Sequence, residues 1–269
     1  MGFVDEVLVD ATGELGQYIY FKIKNKKRAK AFKAFADQHD FSFASKTAEY
    51  TGEIMQIQTP SSAELKSQGN VRLSRKARYA RSRYGNSPFQ TKLWAFVSNR
   101  SRGDWQSNCN IMEGKWQGHL MTAFDTLWFT ANQDSNNEGE YTSIFAHCDA
   151  HLPQMIITPT GLVSMLKRAD EGQWLNMGYH RQQFESNEFN GAWRVSAVDQ
   201  RLASDFISQK MMDYLLDHKN EKWHIELSPG GVLISTMFTL NMNKIEVAMN
   251  MLAGFLEHVD ADLLQHASP

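Results

Sequence analysis

The sequence predicts an α+β fold: a largely antiparallel sheet of hairpins with flanking helices and a long C-terminal helix. Three observations carry this. Alternating apolar and polar segments follow one another across short turns, at Gln117-Gly118 and at Pro229-Gly230-Gly231, as hairpins do. Strand and helix patterns do not alternate regularly, which argues against a parallel α/β sheet. Residues 244–258 carry Ile245, Ala248, Met249, Leu252, Phe255 and Leu256 at helical spacing, a long apolar stripe.

Taken in order, residues 3–21 have the apolar spacing of an amphipathic helix, weakened by Gly13 and Gly16. Lys22-Ile23-Lys24-Asn25-Lys26-Lys27-Arg28 is a basic run, and 28–38 a helix with Ala29, Phe32, Phe35 and Ala36 on one face. Phe41-Ser42-Phe43 opens a strand. Residues 59–92 are broken by Pro60, Gly69, Gly85 and Pro88; they read as a loop or marginal helix and the most mobile segment. Strands are expected at 93–97, 111–116, 120–131, 141–148 and 155–158, with 134–139 a polar loop. In the second of the hairpin strands, Leu120, Thr122, Phe124, Thr126 and Trp128 share one face.

A short helix is expected at 161–168, then a strand at 192–198 with Trp193, Val195 and Ala197 on one face. Residues 203–206 and 210–217 read as helical. Trp223, Ile225 and Leu227 alternate with polar residues before the Pro229-Gly230-Gly231 turn, and 232–237 returns the chain. Asn243 is expected to cap the last helix. The expected organisation is an N-terminal segment 1–25, a basic helix and strand region 26–106, and a core domain 107–264. The last two are able to form one unit.

The 269 residues carry a formal charge of −2, unevenly spread. Residues 1–100 hold 17 Lys and Arg against 9 Asp and Glu, a net of +8; the rest hold 11 against 21, a net of −10. A basic front and an acidic back point to mutual docking or to an anionic partner. The two cysteines, Cys109 and Cys148, lack metal or redox spacing. No apolar run is long enough to span a bilayer, and no basic-then-apolar leader opens the sequence. Met1-Gly2 resembles a myristoylation start, but Glu6 stands where Ser or Thr is needed. The expected location is the cytoplasm, at most peripheral to the inner membrane face.

Candidate sites are few. His147, Asp149 and His151 would share one face of a strand, but Pro153 follows at once, so the segment reads as a strand end and no metal is expected. Glu185, Glu188 and Asp199 flank a strand and have the chemistry of acid–base groups. Their simpler roles are a local turn at Ser186-Asn187 and a helix cap at Asp199. An enzyme, if this were one, would gather Glu185, Asp199 and His224. The methionines from Met211 to Met251 read as core filler. No nucleophile elbow, phosphate loop, dinucleotide fingerprint or zinc-protease helix is present, and no cofactor is expected.

The binding surface expected from sequence is the run 72–84, with Arg72, Arg75, Lys76, Arg78, Arg81 and Arg83 interleaved with Tyr79 and Tyr84. Arginines grip phosphates and tyrosines stack on bases; the same charges suit anionic lipid headgroups. The alternative is a solvated or self-docked loop. An anionic lipid surface or a protein is the expected partner, with nucleic acid behind them.

Three blocks also resemble an uncharacterised bacterial family common in actinobacteria. They are Lys27–Phe43; Met112-Glu113-Gly114-Lys115-Trp116-Gln117-Gly118 through Phe124-Asp125; and 184–217 with the Trp223–Leu227 strand after it. The resemblance implies no active site. It implies a membrane-spanning segment ahead of the first block in many relatives, where this chain has the amphipathic 3–21 stretch. The expected function is therefore a non-enzymatic binding module with a basic N-terminal surface. The alternatives are an enzyme without a recognisable motif and a subunit of a larger assembly.

Overall fold

The computed structural model describes residues 22–46, 56–57, 89–90, 105–131, 136–148, 152–160, 175, 177–236 and 238–259. The fold is α+β. Nine strands form one sheet in the order β1-β4-β5-β6-β11-β10-β7-β9-β8. They are β1 (Ser42–Lys46), β4 (Trp105–Trp116), β5 (His119–Ala131), β6 (Asn136–Cys148), β7 (Met155–Pro159), β8 (His180–Arg181), β9 (Trp193–Ala197), β10 (His224–Ser228) and β11 (Gly230–Ser235). Every pairing is antiparallel. A separate two-stranded pair joins β2 (Gln56–Ile57) to β3 (Phe89–Gln90), so the polar stretch expected at 59–92 contains one short strand.

The helices are α1 (22–38), α2 (Asn187–Ala192), α3 (Gln200–Phe206), α4 (Gln209–Asp217) and α5 (Met242–Glu257). Side chains alternate across each strand, and the register sorts them into two faces. One row runs Phe43, Met112, Ala123, Ile144, Ile234, Ile225, Ile157, Val195 across eight strands. It is wholly apolar. With Phe32 and Phe35 of α1, Met211 and Leu215 of α4 and the buried stripe of α5 it makes one core. Burial of this row against the helices is the main stabilising term.

Both expected hairpins form. Gln117 (φ 48°) and Gly118 (φ 86°) make the two-residue turn between β4 and β5, whose left-handed pair matches the sheet's twist. At the second, Gly231 is required for space. An added Cβ would overlap the Phe145 ring and the Ala146 backbone carbonyl. Gly231→Ala is expected to cost about 2–3 kcal/mol, since the carbonyl cannot move aside; a urea titration measures it.

The structure corrects several boundaries. β4 begins at Trp105 and β6 at Asn136, so residues expected as loop at 136–139 pair with β5. Gly139 lets the Trp128 indole lie over the backbone there, a long-range contact invisible to local composition. The α5 cap is Asn241, whose side chain accepts from the Lys244 amide, not Asn243. The turn at Ser186-Asn187 continues into α2, capped by Ser186. The segments 3–21, 93–97 and 161–168 lie outside the described residues. The 3.6-residue stripe of α5 is buried at every expected position, as are Met211, Met212, Met249 and Met251.

Tyr214 ties α4 to α5. Its hydroxyl donates to the Met251 carbonyl at 2.6 Å. Gly254 makes room, since a Cβ there would stand 2.6 Å from that oxygen. The ring lies 4.4 Å from both His218 and His258, which end the two helices. Burial, and secondarily the charge of Glu257, push the phenol from 10.0 up to about 12. Between those values the unfolded chain has lost a proton that the folded protein keeps. Stability from this group is therefore complete below pH 10 and lost as pH rises towards 12. Tyr214→Phe is expected to cost about 1 kcal/mol at neutral pH and to flatten the decline in unfolding free energy over that interval, measured by urea titrations at stepped pH.

Candidate functional site: a lysine face on a pinned helix

Helix α1 carries Lys22, Lys24, Lys26, Lys27, Arg28, Lys30 and Lys33 before its first acidic residue, Asp37. Its periodicity divides them. Arg28 precedes Phe32 by one turn and so points to the core with Phe32 and Phe35. Lys26, Lys27 and Lys30 fall on the exposed side.

The inward cations are neutralised by the sheet. Arg28 makes a two-pronged ion pair with Asp125, with Nη2 at 2.7 Å from Oδ1 and Nε on Oδ2. The side chains are 11% and 2% exposed. Nη2 also donates to Thr142 Oγ1 at 2.9 Å, and Nη1 to the Leu240 carbonyl. The guanidinium stands 5.0 Å from the Phe32 ring centroid, within cation–π range. Asn110 sits at an irregularity of β4 between Cys109 and Met112, with φ 51°. From there its Nδ2 donates to Asp125 Oδ2 at 2.9 Å. Thr142 donates to Asp125 Oδ1 at 2.8 Å and accepts from the Leu240 amide at 2.8 Å. One turn earlier, Lys24 pairs with Glu140 of β6 at 2.8 Å. The network fastens α1, three strands (β4, β5 and β6) and the lead-in to α5 together.

On the outer side, Lys33 pairs with Asp37 of the same exposed surface. Lys26, Lys27 and Lys30 share that exposed side with Lys22 and Ile23. The arrangement presents several ammonium groups on one side of a helix whose other side is bonded to the sheet.

The opposite sheet face differs. A second row reads Ser42, Glu113, Thr122, Phe145, Leu233, Glu226, Ile156, Ser196, Arg181 across nine strands. Thr122 donates to Glu113 at 2.6 Å, and His147 Nε2 lies 3.6 Å from the same carboxylate. His224 and Glu226 meet at 2.6 Å, 8% and 2% exposed. Each pair joins a carboxylate to an imidazole; His224 and Glu226 are buried, whereas Glu113 and His147 are half-buried.

No protein-family model matches the chain. No curated protein matches it either. Among solved structures, the chain is similar to the mycobacterial trehalose monomycolate transport factor A, TtfA, at 12% identity and a TM-score of 0.46, over 90% of this chain and 96% of that one.

The sites expected from sequence fare unevenly. The run with Arg72, Arg75, Lys76, Arg78, Tyr79, Arg81, Arg83 and Tyr84 lies outside the described residues. So do Asp149 and His151; His147 takes Thr122 and Glu113 as neighbours, and no metal-type grouping occurs among the described residues. Asp199 caps α3 by accepting from the Leu202 amide at 3.0 Å. Glu185 is exposed, and Glu188 pairs with Lys219. His224 is buried against Glu226. Glu185, Asp199 and His224 therefore stand in three different settings.

The Arg28–Asp125 pair was not anticipated. Its signal was present: Asp125 shares a strand face with Met121, Ala123 and Leu127, and Arg28 leads the Phe32 stripe. Two opposite charges break two apolar patterns, and a buried charge requires a partner.

Proposed function

We propose that this chain is a non-enzymatic binding module that applies the lysine face of α1 to an anionic membrane surface. The observation that carries the reading is the division of charge on α1. The inward Arg28 and Lys24 are matched by Asp125 and Glu140, whereas Lys26, Lys27 and Lys30 are exposed on the other side of the same helix. The run 72–84 adds six cations in the same basic half of the sequence. Membership of the uncharacterised bacterial family belongs to this proposal. Among the described residues no helix is long and apolar enough to cross a membrane.

Co-sedimentation of the full chain with phosphatidylserine-containing and pure phosphatidylcholine vesicles tests it. Selective binding to the anionic vesicles that declines with salt is the expected result. Equal binding to both kinds, or none, sinks the lipid version. Preferential capture of an RNA or DNA oligomer at the same salt would transfer the lysine face to nucleic acid.

A further inference from the structure

We propose that Lys26, Lys27 and Lys30 together take a lipid that carries two phosphates on one headgroup, in preference to lipids that carry one. The inference rests on the membrane reading of α1 given above and names the lipid class that it selects. Lys26 and Lys30 stand four places apart in the chain, and Lys27 and Lys30 three. At those spacings the Cβ atoms of a helix are about 5–6 Å apart. The three residues are therefore neighbours on one surface, and all three are exposed. Lys30 is the member common to both pairs.

No carboxylate stands three or four places along the chain from any of the three. Lys33 differs, since Asp37 lies one turn on and accepts from its ammonium at 2.9 Å. On the inward side, Lys24 and Arg28 are matched by Glu140 and Asp125. At 26, 27 and 30 like charges are left at helical spacing, where they repel one another. A doubly charged anion over the cluster relieves that repulsion. A lipid with one phosphate meets one ammonium, and a second contact then requires a second lipid to be drawn from the mixed bilayer. A headgroup with two phosphates brings the second contact with the first, as an intramolecular step at high effective concentration. Lysine suits this task, because its flexible stem lets each ammonium find a phosphate oxygen without a fixed approach.

The test uses the full chain and two kinds of phosphatidylcholine vesicle with the same surface charge. One kind holds cardiolipin, with two phosphates on one headgroup. The other holds twice the mole fraction of phosphatidylglycerol, with one. The parent is expected to bind the cardiolipin vesicles about fivefold more tightly, the worth of one lysine contact made without gathering a second lipid. Lys30→Gln is expected to bind the two kinds alike, because both neighbouring pairs are broken. Lys33→Gln removes the same charge from outside the cluster; it is expected to weaken binding to both kinds and to keep the preference. Both variants should unfold at nearly the parent's urea concentration, since these side chains are exposed. Equal binding of the parent to both kinds overturns the two-phosphate inference and leaves α1 as a general anionic-membrane surface. A preference that survives Lys30→Gln, or that Lys33→Gln abolishes equally, overturns it too. If the parent binds neither kind, the membrane reading falls with it.

Discussion

Asp125→Ala is expected to lower the free energy of unfolding by about 3–5 kcal/mol, the largest effect of any single substitution considered for this protein. The carboxylate is 2% exposed and meets Arg28 through two oxygens. Removing it leaves a guanidinium buried beneath α1 without its counter-charge. Asn110 and Thr142 also lose their shared acceptor, and each buried polar group left unmatched adds cost. Asp125→Asn keeps the shape, loses the charge, and should fall between parent and alanine. The informative variant is the apolar exchange Arg28→Met with Asp125→Leu. Replacing a whole buried pair is often neutral, unlike breaking it. The double variant should therefore be more stable than Asp125→Ala, as read from urea midpoints at constant slope. A double variant as unstable as the single would mean that the hydrogen bonds to Leu240 and Thr142, not the charge pair, hold α1 in place.

Lys26→Gln with Lys27→Gln and Lys30→Gln is expected to weaken binding to anionic vesicles by about two orders of magnitude at low salt. Each lysine near a charged membrane contributes about 1 kcal/mol, and every 1.4 kcal/mol is tenfold in affinity. Glutamine keeps good helix propensity, and all three side chains are exposed. Helix content by circular dichroism and the unfolding midpoint should therefore match the parent. The salt dependence of binding should flatten in parallel, because fewer screened contacts remain. Unchanged binding would move the docking surface to the 72–84 run, where Arg75, Lys76, Arg78 and Arg81 are the residues to replace.

These two expectations assign one side of α1 to folding and the other to the proposed binding. Sequence periodicity shows the same division only in part. Phe32, Phe35 and Ala36 repeat at helical spacing, so the buried side of α1 is legible. What Arg28 does is not legible, because a cation at the head of an apolar stripe is compatible with solvent, lipid or a buried acid. Its partner lies 97 residues away in the chain. The same limit affects the polar sheet face. Glu226 and His224 alternate with Ile225 and Leu227, a pattern that does not show that the two polar side chains meet. In the fold both side chains are buried and face each other.

Local pattern by itself determined the α+β class, the two hairpin turns, the buried stripe of α5 and the capping role of Asp199. Each depends on residues a few positions apart, where backbone geometry leaves little choice. The tertiary structure alone decided the strand order, in which β11 and β10 enter between β6 and β7. It also decided the full lengths of β4 and β6, and the ion pair that fastens the inner side of α1 to the sheet. Those features come from pairings across long stretches of chain, and the favourable energy of such contacts exists only once the partners have been brought together.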